Sequence, residues 1–262
     1  MKVFYSDSDD ILKKELFKRI REDLQKEDGR VLLVVPAQST LSAEEEALKE
    51  VDPRGFFRLN IISGGKLRED ILAREGGSGR TVINTIGRGM LLRRITSRLE
   101  GSFKAFSGVS RDPRFIDMAG DFLVQMKQNR VSVEQLREKA ESAKEGILKR
   151  KLCDMQLIAQ AYEEAMAGQL EDSEDLLQFT TEKLRSTSML KDAYVYFYGF
   201  YSFTKSETEF LNALDGASRG LCIAIINGEG EEFQACRRTI KMLGAQAEKL
   251  PSGEAKKPVL EI

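Results

Sequence analysis

The stretch of residues 192–211, DAYVYFYGFYSFTKSETEFL, contains the strongest structural signals in this chain of 262 residues. Residues 193–198 are almost all apolar, aromatic or β-branched, which predicts a strand that is buried on both faces. Gly199 interrupts this pattern and ends the strand. Thr204 and Glu207 have the spacing of a capping box, in which each side chain bonds to the other residue's backbone N–H. The stretch therefore predicts a strand, a short loop and a helix.

The same alternation recurs toward both ends of the chain. Strands are also predicted at residues 3–5, 31–35, 59–62 and 221–226, and each precedes a segment with helical apolar spacing. For the helix after residue 35, Ser42 and Glu45 predict a second capping box. Strands that alternate with helices favour one parallel sheet with right-handed crossovers. Ligands usually bind such sheets at the loops after the carboxyl ends of the strands.

The middle of the chain has a different pattern. Apolar residues there recur at i, i+3, i+4 and i+7, which is typical of amphipathic helices, and only residues 81–83 resemble a short strand. We therefore expect an α/β fold with a parallel sheet that is interrupted by an all-helical insertion. The expected domains are residues 1–84 (first part of the α/β domain), 85–190 (helical insertion) and 191–262 (second part).

The composition excludes several classes of active site. The chain has no histidine, so it cannot contain a Ser-His-Asp triad, a Cys-His pair or a histidine-ligated metal. Its three cysteines, Cys153, Cys222 and Cys236, lie far apart, which indicates buried thiols in a reducing compartment. The first residues do not form a signal peptide, and no apolar run approaches the length of a membrane span. We therefore expect a cytoplasmic protein with no membrane partner and no metal site.

The loop after the first strand lacks the residues that bind nucleotide phosphates. A P-loop has the pattern GxxxxGK[ST], because glycines let backbone N–H groups reach the phosphates and the lysine neutralises their charge. Residues 6–10 instead read SDSDD, with three carboxylates. The strand at 193–198 ends in Tyr198, where a nucleotide-driven machine needs an acidic magnesium ligand. We therefore expect no catalytic residues for ATP hydrolysis in this chain.

Charge is distributed unevenly along the chain. Residues 86–152 contain 15 Lys and Arg against 8 Asp and Glu, a net charge of +7, whereas the whole chain has a net charge of −1. The remainder therefore carries −8. A basic helical segment attracts phosphate, but charged helix surfaces also occur in proteins that bind no nucleic acid, so both interpretations stay open.

Four segments together resemble the N-terminal helicase-like region of the AddB/RexB family. In chain order they read MKVFYSD, VLLVVPAQSTLSAEEEAL, VINTIGRGMLLRRI and AYVYFYGFYSFTKSETEFL. The family patterns P-E-Q-F-T and D-G-F-x-x-F-T-x-x-E are matched in part, by Pro36, Gln38, Thr40, Gly199, Phe200, Phe203, Thr204 and Glu207. The Glu and Phe of the first pattern are missing, and Tyr198 stands where the second often has Asp.

The resemblance implies a helicase-like, P-loop NTPase-type fold that has lost its nucleotide site. It implies a role in a bacterial ATP-dependent helicase/exonuclease that processes DNA double-strand breaks for recombinational repair. ATP and magnesium would act in the partner, an A-type helicase/nuclease subunit. The iron–sulfur cluster would belong to a C-terminal nuclease region that has no counterpart here, so we expect an N-terminal piece or a shortened relative, with no nuclease activity by itself.

The predicted ligand is single-stranded or duplex-end DNA. The resemblance places it at the loop after the second strand, and the charge distribution places it on the basic residues near the ends of the insertion. Aromatic residues in the loop after residue 198, Tyr201 and Phe203, are candidates for base stacking. The predicted DNA-binding residues are Gln38, Ser39, Thr40, Arg88, Arg93, Arg94, Arg98, Lys149, Arg150, Lys151 and Tyr201. The alternative function is a small-molecule-binding α/β module or enzyme that uses the crevice at the strand ends.

Overall fold

A computed structural model describes residues 1–26, 29–244 and 247–252. The chain forms two compact units. The sheet unit comprises Met1–Gly76, Thr180–Phe203 and the described part of Thr208–Ile262, and the helical unit comprises Gly77–Phe179 and Thr204–Glu207. The predicted domain boundaries, at residues 84/85 and 190/191, stay a prediction.

Eight strands are present in the described parts of the chain. They are β1 (Lys2–Ser6), β2 (Arg30–Val35), β3 (Leu59–Ser63), β4 (Thr81–Val82), β5 (Leu170–Glu171), β6 (Ala193–Tyr198), β7 (Gly220–Ile226) and β8 (Ala247–Lys249). Six of them form one parallel sheet in the order β3-β2-β6-β7-β1-β8. Leu33 of β2 lies opposite Ile61 of β3 and Tyr196 of β6. The predicted parallel α/β sheet, with all five predicted strands in it, is therefore confirmed.

Ten α-helices occur in the same described parts. They are α1 (Asp9–Leu24), α2 (Thr40–Glu50), α3 (Gly64–Glu75), α4 (Thr85–Leu99), α5 (Pro113–Gln128), α6 (Val133–Ser142), α7 (Ile147–Met166), α8 (Ser173–Leu184), α9 (Lys205–Ala217) and α10 (Gln234–Leu243). No helix among the residues described is both long and apolar enough to cross a membrane.

The central strands are buried because helices cover them. All side chains of β2 from Val31 to Val35 are buried, and those of α1 that face the sheet form part of the same apolar core, namely Leu12, Leu16, Phe17 and Ile20. Continuous apolar strands of this kind are stable only in the middle of a sheet with covered faces. The carboxyl ends of β2, β6 and β7, which are adjacent in the order β2-β6-β7, therefore meet at one edge of the sheet.

The two predicted capping boxes have different outcomes. Thr204 and Glu207 form theirs, since Thr204 N–H donates to Glu207 Oε2 (2.8 Å) and Glu207 N–H donates to Thr204 Oγ1 (3.2 Å). The capping box expected at Ser42 is wrong. A 3₁₀ turn at Ala37–Ser39 leads directly into α2, which begins at Thr40, so Ser42 lies inside the helix.

The helical unit has a core of its own. Leu92 and Ile95 of α4 pack with apolar residues of α5 and α7, among them Phe115, Leu123 and Ile158. The pairing of β4 with β5 adds a short parallel ribbon that the sequence did not predict in full, because β5 has only two residues.

Two buried carboxylates stabilise this unit. The first, Asp154 on α7, is fully buried and accepts hydrogen bonds of 2.7–3.0 Å from the backbone N–H groups of Lys104, Ala105 and Phe106. It thereby fixes the loop that follows α4, because three adjacent donors point at one charged acceptor.

The second carboxylate, Asp172, caps the start of α8. Its Oδ1 accepts from the N–H groups of Glu174 (3.0 Å) and Asp175 (3.1 Å), and its Oδ2 lies 2.7 Å from Lys127 Nζ on α5. Tyr162 on α7 donates to the same oxygen at 3.3 Å. These contacts join three helices of the unit through one side chain.

Candidate nucleic-acid interface

A crevice of about 470 Å³ opens at the carboxyl edge of the sheet. It lies where β2 and β6 end side by side, which is where an open α/β sheet usually binds ligands. The loops after both strands, the start of α1 and the first turns of α2 form its walls. Its polar and aromatic lining comprises Asp9, Lys13, Gln38, Ser39, Ser42, Glu46, Tyr198, Phe200 and Tyr201.

The loop after β6 presents one aromatic residue to solvent and packs two others together. Phe200 and Phe203 lie 5.7 Å and 6.1 Å from Phe197, measured between ring centroids, and 5.5 Å from each other. Between them, Tyr201 is 67% exposed at the crevice. The aromatic cluster therefore holds the residues on both sides of Tyr201 against the end of β6. Phe203 is buried, and the expectation that it could stack on a base is wrong.

Gly199 makes this loop geometry possible. Its φ of +82° lies in the left-handed region, which favours glycine. A Cβ atom at this position would lie 3.1 Å from Cδ of Pro36, the residue that ends β2. A side chain at residue 199 would therefore require both a strained backbone and a small shift of Pro36.

A hydrogen-bonded network crosses the floor of the crevice. The Tyr198 hydroxyl donates to Asp9 Oδ1 at 2.6 Å. Lys13 Nζ lies 3.1 Å from Asp9 Oδ2 and 2.7 Å from Glu46 Oε1, so one ammonium group bridges α1 and α2. This network occupies the side of the sheet where the loop after β1 leads into α1.

The network shifts the ionisation of two of its members. Burial raises the pKa of Tyr198, and the hydrogen bond to the Asp9 carboxylate raises it further. Burial alone would lower the pKa of Lys13, but the hydrogen bonds and charges of Glu46 and Asp9 outweigh it and the pKa is raised. At neutral pH the phenol of Tyr198 is therefore neutral and Lys13 carries its positive charge.

The predicted residues of the sheet unit are mostly brought together. Gln38, Ser39 and Tyr201 line the same crevice. Thr40 does not line it, because its hydroxyl donates to the carbonyl oxygen of Ala37 at 3.1 Å in the turn that starts α2. Within the described residues, no three Cys, Asp or Glu side chains are arranged to hold a metal ion.

The predicted basic residues belong to α4 and α7 of the helical unit. Their side chains differ in exposure to solvent and in whether they already form an ion pair. Arg88 is half-buried, with its Nε close to Gly120 of α5. Lys149 is paired with Glu145 at 2.6 Å, which raises its pKa. The other five are exposed, and their side chains form no hydrogen bond or ion pair with any residue that the structure describes: Arg93, Arg94, Arg98, Arg150 and Lys151.

The two helices run antiparallel, which brings part of this basic set to one end. Arg88, near the start of α4, is close enough to Tyr162 to influence its pKa, whereas the loop just after α4 bonds to Asp154 near the start of α7. Arg98 therefore lies toward the same end of the helix pair as Arg150 and Lys151.

Sequence reasoning missed the residues of the crevice floor. Lys13 follows Asp9 by one helical turn, so the ion pair between them was visible as an i, i+4 spacing. Nothing in the sequence relates Glu46 or the hydroxyl of Tyr198 to that pair, since both contacts form only when the strands are side by side.

Comparisons with known proteins show which family the chain belongs to. Residues 13–250 match the family model described as "ADDB, N-terminal". The chain is 31% identical over 187 residues to the B-type subunit of the ATP-dependent helicase/deoxyribonuclease of Alkaliphilus metalliredigens (strain QYMF), which covers 71% of this chain and 16% of that protein. It is also 31% identical over 204 residues to the protein of the same name from Bacillus anthracis, covering 74% of this chain and 17% of that protein.

The matched part of the chain thus corresponds to about a sixth of the length of these relatives. The family model covers most of the chain, from Lys13 within α1 to Leu250 just after β8, including the helical unit and the crevice lining apart from Asp9 and Leu12. The resemblance to the AddB family is therefore confirmed, and the chain belongs to the family described as "ADDB, N-terminal".

Proposed function

We propose that this chain is a helicase-like region that binds DNA and a companion subunit, and that it does not hydrolyse ATP. Its relatives are named as one subunit of an ATP-dependent helicase/deoxyribonuclease. In that setting the chain takes part in processing DNA double-strand breaks for recombinational repair, in the bacterial cytoplasm. ATP and magnesium act in the companion subunit, an A-type helicase/nuclease.

The observation that carries the proposal is the network on the floor of the crevice. A nucleotide site of this fold needs backbone N–H groups and a lysine around the phosphates, with a carboxylate for magnesium. Here Asp9 lies at the start of α1, and the strand end supplies the phenol of Tyr198, which is bonded to Asp9. The one lysine on the floor, Lys13, is already neutralised by Asp9 and Glu46. These residues do not fit a magnesium nucleotide.

The walls of the crevice suit a single strand better. Tyr201 offers an exposed ring for base stacking, and Gln38 and Ser39 offer donors and acceptors beside it. The predicted basic residues of the helical unit, which lie within the segment of net charge +7, would bind phosphates, whereas the rest of the chain carries −8. The best placed are those whose side chains are exposed and unpaired within the described structure: Arg93, Arg94, Arg98, Arg150 and Lys151.

The test compares two exposed aromatic residues of the sheet unit. Tyr201→Ala should lower the affinity for a short oligothymidylate by about tenfold, the equivalent of one stacked base. Phe57→Ala is the matched control, because Phe57 is fully exposed and lies outside the crevice. Fluorescence anisotropy at fixed salt measures both. Equal affinities for the two variants and the parent would remove the crevice from the DNA path.

Calorimetry tests the second half of the proposal and the alternative function. Titration with ATP and magnesium should give no binding in the micromolar range, and micromolar affinity would overturn the proposal. A thermal shift with a metabolite, together with no binding of DNA, would instead favour a small-molecule-binding module.

A further inference from the structure

Helix α4 has an unusual distribution of charge. Its 15 residues, TIGRGMLLRRITSRL, include four arginines and no acidic residue. Leu92, Ile95 and Thr96 are buried on the side that faces the core. The opposite side is open to solvent, and the side chains of Arg93, Arg94 and Arg98 project from it without a hydrogen bond or ion pair to any described residue.

Two large apolar residues lie on the same exposed side. Ile86 is 73% exposed and Met90 is 71% exposed. Ile86, Met90, Arg94 and Arg98 follow one another at intervals of four residues, so they form one stripe along the helix, with about 6 Å between neighbours. Scattered exposed apolar residues are normal, but Ile86 and Met90 lie one helical turn apart and continue directly into the unpaired arginines of the same face.

A recess of about 180 Å³ opens beside this stripe. Its apolar lining comprises Met90, Pro113 and Ile116, and its polar lining comprises Arg93, Arg111 and Asp117. Arg111 is held by an ion pair with Glu100 at 2.8 Å. The lining therefore offers apolar contacts for the face of a base and, at Asp117, an acceptor for an N–H group.

We propose that this face of α4 binds single-stranded DNA with the bases turned toward the protein. The unstacked bases contact Ile86 and Met90, one base enters the recess, and the phosphates contact Arg93, Arg94 and Arg98. The proposal rests on the DNA-binding function above and adds to it the form of the nucleic acid and the side chains that contact bases.

The chemistry of the face favours a single strand over the other polyanions. Duplex DNA presents mainly phosphates to a helix lying on its outside and hides the faces of its bases, so Ile86 and Met90 would gain nothing from it. A protein partner would need several carboxylates opposite the three arginines, together with apolar anchors. A single strand supplies a negative charge at every nucleotide and an apolar face on every base.

The experiment separates the contribution of the apolar side chains to DNA affinity from the contribution of the arginines. Binding of oligothymidylate to the whole chain is measured by anisotropy over a series of salt concentrations. Changing Arg93, Arg94 and Arg98 together to Gln should reduce the slope of log affinity against log salt by about 2, which is about 0.7 for each phosphate contact. Ile86→Gln with Met90→Gln should leave the slope unchanged and lower affinity by about tenfold at every salt concentration.

Met118→Gln is the matched control for the apolar pair. Met118 lies on α5 in the same unit, is 45% exposed and is not part of the recess. Its substitution should change neither the slope nor the affinity. The loss for the apolar pair should also be seen with oligothymidylate and not with a duplex of the same length.

Three results would overturn the inference and leave the proposed function standing. The first is an apolar-pair variant that binds the single strand as tightly as the parent does. The second is an apolar-pair variant that loses as much affinity for the duplex as for the single strand. A variant that keeps its DNA affinity but loses affinity for the companion subunit would assign the face to a protein partner. A parent chain that binds no DNA at all would instead remove the proposed function itself, and with it this inference.

Discussion

The hydroxyl of Tyr198, at the end of β6, donates to Asp9 Oδ1 at the start of α1 across 2.6 Å. This bond joins two residues that are 189 positions apart in the chain. It lies at the point where a nucleotide-dependent relative of this fold needs a carboxylate at the strand end and glycines at the helix start. In this chain the same position serves to hold the sheet and α1 together.

Tyr198→Phe should therefore weaken the sheet unit. The change removes only the hydroxyl, and Asp9 is half-exposed and can turn to water, so we expect the free energy of unfolding to fall by about 1 kcal/mol. Urea denaturation measures the difference. Tyr201→Phe is the control, since the hydroxyl of Tyr201 has no hydrogen bond in the described structure. If both variants unfold like the parent, the Tyr198–Asp9 bond contributes nothing to stability.

Asp154→Asn should lower the free energy of unfolding more than a carboxylate-to-amide change at the surface does. The asparagine side chain has one acceptor oxygen where aspartate has two. Its NH₂ group would therefore face a backbone N–H group of the loop at Lys104, Ala105 and Phe106, and a buried donor would be left without an acceptor. We expect a loss of about 2–3 kcal/mol in the free energy of unfolding. Glu138→Gln, on the exposed side of α6, should change it by less than about 0.5 kcal/mol. A neutral result at Asp154 would mean that the loop after α4 is held by its apolar contacts alone.

The helical unit should lose stability in acid through Asp172. Burial would raise the pKa of this carboxyl, but the hydrogen bond and charge of Lys127, with the N–H groups of Asp175 and Glu174, outweigh it and lower the pKa below 3.8. A carboxyl with a lowered pKa in the folded state contributes stability above its unfolded pKa. That contribution is lost as the pH falls below about 3.8 toward the folded value.

Asp172→Asn tests this pH dependence. The variant should be less stable than the parent at pH 7, by about 2 kcal/mol. The gap should narrow as the pH is lowered below about 3.8, because the parent then loses its own charge. Thermal unfolding of both proteins at a series of pH values measures the gap. A difference that is the same at pH 7 and pH 3 would show that packing, rather than charge, is responsible.

The basic end of α7 should matter for DNA affinity. Arg150→Glu with Lys151→Glu replaces two unpaired cations, so binding of single-stranded DNA should weaken and its salt dependence should become shallower, by about 1.4 in the log–log slope. Lys14→Glu with Lys49→Glu, at exposed positions of the sheet unit, makes the same change in net charge and should have a smaller effect. If the two double variants behave alike, only the net charge of the chain matters and α7 is not a contact site.

Much of the fold could be predicted from the sequence, because the signals are local. The apolar run at 193–198 and the run that became β2 can be buried only in the middle of a sheet, and the capping box of Thr204 and Glu207 forms within one helical turn. The four segments that carry the family resemblance are equally local. The lack of a P-loop is also visible locally, because residues 6–10 read SDSDD and contain no glycine or lysine whatever the fold.

Other elements were decided only by the tertiary structure. Strand β8 reads Ala-Glu-Lys and has no apolar pattern. It is a strand because the edge of β1 leaves backbone groups that it can pair with. Ser42 has the spacing of a cap, but α2 starts earlier, at Thr40, directly after a 3₁₀ turn.

The residues of the candidate site were partly predictable from the sequence, whereas the contacts between them were not. The sequence alone predicted Gln38 and Ser39 from the motif after the second strand, Tyr201 as an aromatic residue of a loop, and the arginines of α4 from their charge. It could not show that Tyr198 bonds to Asp9, that Lys13 bridges to Glu46, or that Phe203 is buried while Tyr201 is exposed. Those relationships depend on which strands are neighbours in the sheet and on which side of each helix faces the core, and both are properties of the packed chain.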